Sequence, residues 1–460
     1  MRTVEAQPID RNVLHARLRD VAPWDAVIIG GGATGLGIAV DAAARGLRVA
    51  LIEQRDFASG TSSRSTKLIH GGVRYLAQGN VKLVREALAE RAVLLKIAPD
   101  IVHPLEFVVP CYRFGEREFM RIGLGLYDLL AGKASLGPTR WLSREQTLRR
   151  LPGVQPKGLR GGVSYWDAQF DDAAMAIALM QTAFALGATP INYVACESLE
   201  SRDGRIAAVH ARDAETGESF RLATGCVFNA AGVWVDEVRK LADPKLAPVT
   251  TVSQGSHIVL DREFLPGHAA LLIPSTRDGR VLFLIPWYGV LLVGTTDGAR
   301  PDAPLEPQPT DAEIGFLLRT AGEYLVRQPR AADIRARFSG LRPLFSAGGV
   351  SGTAQISREH AVLTECGNLV SVVGGKWTTY RRMAEDAIAQ AQRHGVLGVG
   401  QRARTDKVRL VAQRFVSAGA TDFRRHLNDP AFVGWARQQA QARSDGDMRA
   451  RRARLEFIES

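Results

Sequence analysis

The chain has 460 residues, 46% of them hydrophobic, which is enough for a large core in two or three domains and excludes a disordered or fibrous protein. A net charge of +11 leaves anionic lipid, nucleic acid and an anionic substrate open as partners. The four cysteines, Cys111, Cys196, Cys226 and Cys366, form no CxxC pair, so neither a disulfide framework nor a zinc site is expected, and no metal is predicted.

Residues 1–23 are read as an N-terminal extension, whose first twenty residues mix acidic and basic side chains without the apolar stretch of a signal peptide, and no run of 18 or more apolar residues follows. Residues 122–130 are too short for a membrane span and carry Asp128. A cytoplasmic location follows as the expectation, with any membrane contact made from the surface. From Asp25 the chain reads as a buried strand running into Gly30, Gly31, Gly32, Ala33, Thr34 and Gly35, then a helix, then a second strand ending in Glu53. Glycines here turn tightly and let backbone approach a pyrophosphate, the helix start faces that anion, and Glu53 suits a ribose hydroxyl while repelling a 2′-phosphate. A dinucleotide, FAD or NAD rather than NADP, is predicted.

Residues 59–67 form a polar loop whose Thr61, Ser62, Ser63, Ser65 and Lys67, with Leu68 beyond, offer donors and backbone to a cofactor. The spacing predicts a helix over 80–98, a second lobe over 101–159, and a helix over 172–187 followed by a β-meander. That meander ends in a buried strand and in Ala230, Ala231 and Gly232, small residues where backbone must approach something bulky. Apolar runs between 248 and 340 predict a separate sheet carrying the substrate. Residues 369–380 repeat the pattern of strand, glycine turn and helix start, with Gly375, Lys376, Trp377 and Thr378 at the turn. The predicted domains are therefore 24–100, 160–247 and 350–394 for the dinucleotide, and 101–159 with 248–349 for the substrate. Residues 395–460 are expected as a short, helical, basic segment. Its cluster of Arg449, Arg451, Arg452 and Arg454, with Trp435, reads as a solvated face rather than an RNA groove, so no nucleic-acid partner is expected.

The glycine turn with Asp41 and Arg45-Gly46, the run from Ser63 through His70-Gly71-Gly72-Val73-Arg74-Tyr75 to Leu76, and Gly374-Gly375-Lys376 with Tyr380-Arg381 closely resemble the FAD-dependent glycerol-3-phosphate dehydrogenases. Gly255-Ser256-His257, Gly294-Thr295-Thr296-Asp297 and Ser339-Gly340-Leu341-Arg342-Pro343-Leu344 match the same family in the same order. The resemblance implies an α/β, glutathione-reductase-like FAD-binding domain of Rossmann type with an antiparallel substrate sheet. It also implies oxidation of sn-glycerol 3-phosphate to dihydroxyacetone phosphate, with electrons passing to a quinone or, in related members, to oxygen. Peripheral attachment to the inner face of the cytoplasmic membrane and a homodimer accompany it as expectations. A flavin oxidase acting on an amino acid or a 2-hydroxy acid stands as the alternative, and a flavin-binding RNA-associated protein as a remote one. Two departures stand out: Gln254 replaces the Lys of many relatives, and the roughly seventy residues after the Lys376 helix lack the family's late tryptophan and arginine segment.

Oxidising a phosphorylated secondary alcohol requires an anion clamp and a proton acceptor beside the flavin. Arginine suits the phosphate because its planar fork binds two oxygens, which selects Arg74 and Arg342. Imidazole can accept a proton near neutral pH, which selects His70, between the flavin loop and Arg74, ahead of His257. Lys376 is assigned to stabilise developing negative charge together with the helix start, as a catalytic partner of Arg342. Tyr75, His257 and Thr295 are assigned to the substrate, with Thr296 and Asp297 completing a turn at the pocket wall.

Overall fold

The computed structural model describes residues 1–72, 76, 79–276, 279–346, 360–398, 400, 402 and 404–411. Arg74 and Tyr75 lie outside the described residues, as does most of the basic C-terminal segment. Alternating apolar strands and amphipathic helices build a six-stranded sheet. Its order is His360–Glu365, Leu369–Gly374, Val227–Asn229, Ala26–Ile29, Val49–Ile52 and Thr189–Ile191, parallel except for the first pair. Ala26 and Ile28 point into a core with the helices Ala33–Ala44, Asp172–Ala185 and Tyr380–Arg393. Val27 and Ile29 point the opposite way, toward the three-stranded antiparallel sheet Val194–Arg202, Arg205–Asp213, Ser219–Ala223 and the helix Arg11–Arg19. Burial on both faces is why these strands read as unbroken apolar runs.

A second, ten-stranded and mostly antiparallel sheet runs from Gly298–Arg300 and Thr250–Asp261 through Val290–Gly294, Leu282–Trp287, Ala270–Ile273, Val102–Cys111 and Gly161–Phe170 to Leu68–Ile69. Ala336–Phe345 lines the other edge of Thr250–Asp261, and the helix Asp311–Tyr324 packs against that same strand. Gly161–Phe170 pairs along its whole length with Val102–Cys111. It therefore belongs to this sheet, not to the dinucleotide unit where the sequence placed it. The Pro- and Gly-rich stretch before it is a connection within the sheet that carries the helices Glu116–Ala131 and Arg144–Arg150.

The helix expected over 80–98 forms as Val81–Ile97, capped by Asn80, whose Oδ1 accepts from Leu83 N at 3.1 Å. The segment expected to be helical after 395 differs where it is described. Thr405–Lys407 is one 3₁₀ turn, and Val408–Arg409 is extended, pairing in parallel with Arg2–Thr3. Leu410 N donates to Ile97 O, and Val411 N to the Thr182 hydroxyl, so hydrogen bonds to backbone and side chain of the body hold this strap extended. Among the described residues no helix is long and apolar enough to cross a membrane.

Candidate active site

The strand Ala26–Ile29 stops at Gly30, whose φ of +109° suits glycine and whose α-carbon leaves no room for a Cβ, which would lie 2.6 Å from Ala230 O. A Cβ on Gly35 would overlap Gly30 O, so this glycine lets the helix pack beneath the turn. Gly32 faces open space, where a Cβ would meet only Ser62 Oγ at 3.1 Å, and it heads the helix Ala33–Ala44 without a side-chain cap. Glu53 accepts from Gly31 N at 2.7 Å and from Arg55 N at 2.8 Å. Burial pushes its carboxyl up, and those two N–H groups oppose the shift.

From this turn a cavity of about 1150 Å³ extends to the large sheet. Gly30, Gly32, Ala33, Thr34, Glu53, Thr61, Ser62, Ser65, Leu68, Ala231, Gly232, Gly375, Lys376, Trp377 and Thr378 line it, and so do His70, His257, Thr295, Thr296, Asp297 and Arg342. Gly35, Ser63 and Lys67 do not. Lys67 is 4% exposed, pairs with Asp172 Oδ1 at 2.6 Å and donates to Ser63 O at 2.8 Å. Ser65 Oγ donates to the other Asp172 oxygen at 2.7 Å. The loop is thus braced by a buried ion pair, and Lys67 is a tie within the protein rather than a ligand offered to the cavity. Thr61 Oγ1 donates to Leu341 O at 2.6 Å and Trp377 Nε1 to Ser62 O at 2.7 Å, stitching the loop to both sheets.

Strand register composes the cavity wall on the large sheet. Along Thr250–Asp261 alternate residues face one way, so Ser253, Gly255 and His257 share a face while Gln254 and Ser256 share the other. Across from them Arg342 pairs with Ser253, Gly340 with Gly255, and Phe338 with His257. A Cβ on Gly255 would overlap the Arg342 guanidinium, and one on Gly294 would overlap the His257 ring. These glycines make room for the Arg342 and His257 side chains. Arg342 Nη2 donates to Thr295 Oγ1 at 3.0 Å and Thr296 O at 3.2 Å, and its Nη1 lies 3.5 Å from Asp297 Oδ1. Asp297 in turn accepts from Ser253 Oγ. The guanidinium is therefore fixed before any anion arrives.

The His257 ring stacks on Phe338, with centroids 4.7 Å apart and planes 11° from parallel, and its Nε2 meets Thr66 Oγ1 at 3.0 Å. Burial, and then the positive charges of Arg342 and Lys67, hold its basicity well below the ordinary histidine value. This imidazole is neutral across the physiological range. His70 is half-buried at the cavity edge, with its backbone N–H donating to Thr378 Oγ1 at 3.3 Å and its ring edge-on to Phe283. Behind it, Gly71 N donates to Tyr127 OH at 2.8 Å, Tyr127 donates to Asp167 at 2.8 Å, and Asp167 pairs with Arg91 at 2.6 Å. Sequence reasoning missed that support, and it missed Thr66 and Asp172. It also missed Glu313 on the helix Asp311–Tyr324, although Thr310 three residues before a Glu is a capping-box signal visible in the sequence.

Comparison with known proteins identifies the family. Residues 25–381 match the family model described as FAD dependent oxidoreductase. The chain is 40% identical over 412 residues to a mitochondrial glycerol-3-phosphate dehydrogenase of Rattus norvegicus, covering 86% of this chain and 56% of that protein. To a mitochondrial glycerol-3-phosphate dehydrogenase of Arabidopsis thaliana it is 42% identical over 402 residues, covering 85% and 64%. The chain thus spans between half and two thirds of the length of these curated relatives. Among solved structures it resembles the glycerol-3-phosphate dehydrogenase of Bacillus halodurans complexed with FAD, with a TM-score of 0.71 and 30% identity over 87% of this chain and 70% of that one.

Fold, turn and cavity define a dinucleotide-dependent oxidoreductase with a Rossmann-type half and a second half built on a mostly antiparallel sheet. The chain belongs to the FAD dependent oxidoreductase family, and FAD is its cofactor. The residues present fit that group: an uncapped helix start faces the cavity, Gly32 leaves room beside it, and Glu53 waits one strand away.

Proposed function

We propose that this chain oxidises sn-glycerol 3-phosphate to dihydroxyacetone phosphate. The observation that carries the reading is Arg342, fixed by Thr295, Thr296 and Asp297 in one cavity with neutral His257, His70 and Lys376. The names of the relatives at 40% and 42% identity point the same way. A guanidinium and an ammonium facing one cavity suit a phosphate dianion, which neither an uncharged alcohol nor a single carboxylate needs. In this reading Arg342 clamps the phosphate, with Arg74 as a second clamp and Tyr75 and Thr295 as further contacts. His257, kept neutral by its surroundings, is a hydrogen-bond partner for the alcohol rather than a proton sink. His70 takes the hydroxyl proton as the carbinol carbon gives up its hydride. Lys376, beside the 3₁₀ turn Trp377–Thr379 that opens the next helix, stabilises the charge developing on that oxygen. FAD, when bound, supplies the hydride acceptor.

The test is anaerobic. Glycerol 3-phosphate should bleach the visible absorbance of the purified yellow protein, and glycerol at the same concentration should leave it unchanged. Equal bleaching by both, or bleaching only by amino acids or 2-hydroxy acids, would remove the phosphate from the account.

We infer a quinone as the electron acceptor and a peripheral seat on the inner face of the cytoplasmic membrane. The helix Glu116–Ala131 supports this: Leu124 and Leu126 line the cavity, while Leu126 and Leu129 are 44% and 75% exposed, and Phe114, just before the helix, is 92% exposed. Exposed Arg113 and Lys133 flank that apolar edge and would each contribute about 1 kcal/mol near anionic lipid. Salt-sensitive flotation with anionic vesicles and faster turnover with a short-chain quinone than with oxygen are the expected results.

A further inference from the structure

The strand Thr250–Asp261 has a second polar face behind the cavity, and the reading above gives it no role. On that face Ser256 Oγ meets Ser339 Oγ at 2.7 Å across the pair, and Gln254 reaches toward the helix Asp311–Tyr324. Both oxygens of Glu313, near that helix's start, are engaged. Oε1 accepts from Thr296 Oγ1 at 2.7 Å, and Oε2 accepts from Gln254 Nε2 at 2.8 Å and Thr310 N at 2.9 Å. Thr296 is 1% exposed, and its hydroxyl also accepts from Ser256 N at 2.8 Å. Its carbonyl is one of the oxygens that hold Arg342.

We propose that Glu313 is a positioning residue for Arg342, acting through Thr296: the carboxylate fixes the Thr295–Thr296 turn from behind, and the turn fixes the guanidinium in front. This rests on the reading of Arg342 as the phosphate clamp. Helix capping alone would occupy one carboxylate oxygen with Thr310, whereas here the second oxygen is spent on an active-site turn. Burial works against charge on Glu313, yet the Thr310, Thr296, Ser256 and Gln254 hydrogen bonds bring its carboxyl below the usual range, so it stays ionised. Gln254 fits the same role. Its amide donates to Glu313 without cancelling the charge, and its carbonyl is held by Arg300 Nη1 at 2.6 Å. Arg300, which holds Gln254, also acts on Glu313 with its charge from one side chain further away.

The test uses FAD-loaded protein, with KM and kcat for glycerol 3-phosphate and competitive inhibition by inorganic phosphate. Thr296→Val removes the hydroxyl and keeps the shape. It should raise KM and the phosphate inhibition constant about tenfold, with kcat changed less, because a misplaced clamp weakens binding first. Thr296→Ser should restore both. Glu313→Gln leaves a single acceptor oxygen where the carboxylate has two and carries the same expectation should the valine variant not accumulate. Thr310→Ala removes the cap and leaves the carboxylate, so it should lower Tm without moving KM. In an Arg342→Met background Thr296→Val should add less than about twofold, since it acts only through the residue already lost. A full tenfold effect in that background, or an unchanged KM in both Thr296→Val and Glu313→Gln, overturns the proposal. If Arg342→Met itself leaves KM unchanged, the clamp reading fails first and takes the proposal with it.

Discussion

The two ends of the cavity are built by different means. The dinucleotide end is made of backbone: Gly30, Gly32 and Gly35 clear space, a helix start supplies N–H groups, and Glu53 is the principal side chain. At the other end, in the function proposed, side chains do the recognising, and the glycines Gly255 and Gly294 leave room for Arg342 and His257. Backbone recognition depends on local conformation. Side-chain recognition depends on register across three strands and on Glu313 behind them. Damage should therefore separate: changes at one end should cost cofactor, and changes at the other should cost kinetics with cofactor retained.

The largest effect expected is at the backbone end. Gly32→Val puts a branched side chain where the pyrophosphate approaches, and FAD affinity should fall by about 10³ or more, some 4 kcal/mol. The measurement is flavin content after dialysis, and a variant that keeps its full complement would contradict the assignment of this turn. Next comes His70→Asn, which should slow anaerobic flavin bleaching by about 10² to 10⁴ with substrate affinity nearly unchanged. Normal bleaching in that variant would move the proton acceptor elsewhere, His257 being the first alternative.

A smaller effect should appear in stability against pH. His257 is held neutral in the fold, well below its ordinary value of 6.5. The unfolded chain therefore binds a proton that the folded one refuses, and stability falls as pH drops below about 6.5, by up to about 1.4 kcal/mol per unit. Urea midpoints from pH 7 to pH 5 should show a steeper loss in the parent than in His257→Gln. Equal slopes would mean that the buried imidazole does not contribute.

How much was legible follows the same division. Gly30, Gly32, Gly35 and Glu53 could be read directly because turn, helix start and strand end lie within thirty residues, and local spacing encodes all three. The glycine turn before Lys376 was legible for the same reason. Lys67 was misread: in a loop of serines and threonines it looks like an anion ligand, and its true partner Asp172 lies 105 residues away. Gly161–Phe170 was put in the wrong unit because its strand pattern does not say which sheet it joins. Family resemblance carried Arg342 and His257, but nothing local revealed that Gly255 and Gly294 make room for them. Glu313 went unread although its capping signal was present, because a cap by itself does not announce a contact with a turn on another strand.

Gly255→Ala tests the division between the two ends most directly. A single methyl group there would sit 2.2 Å from Arg342 Nη2, with guanidinium atoms as its nearest neighbours. The protein should purify with full FAD while kcat/KM for glycerol 3-phosphate drops about 10²-fold, the size expected for a clamp displaced by roughly an ångström. Loss of flavin in this variant, or unchanged kinetics with the methyl group in place, would contradict the account.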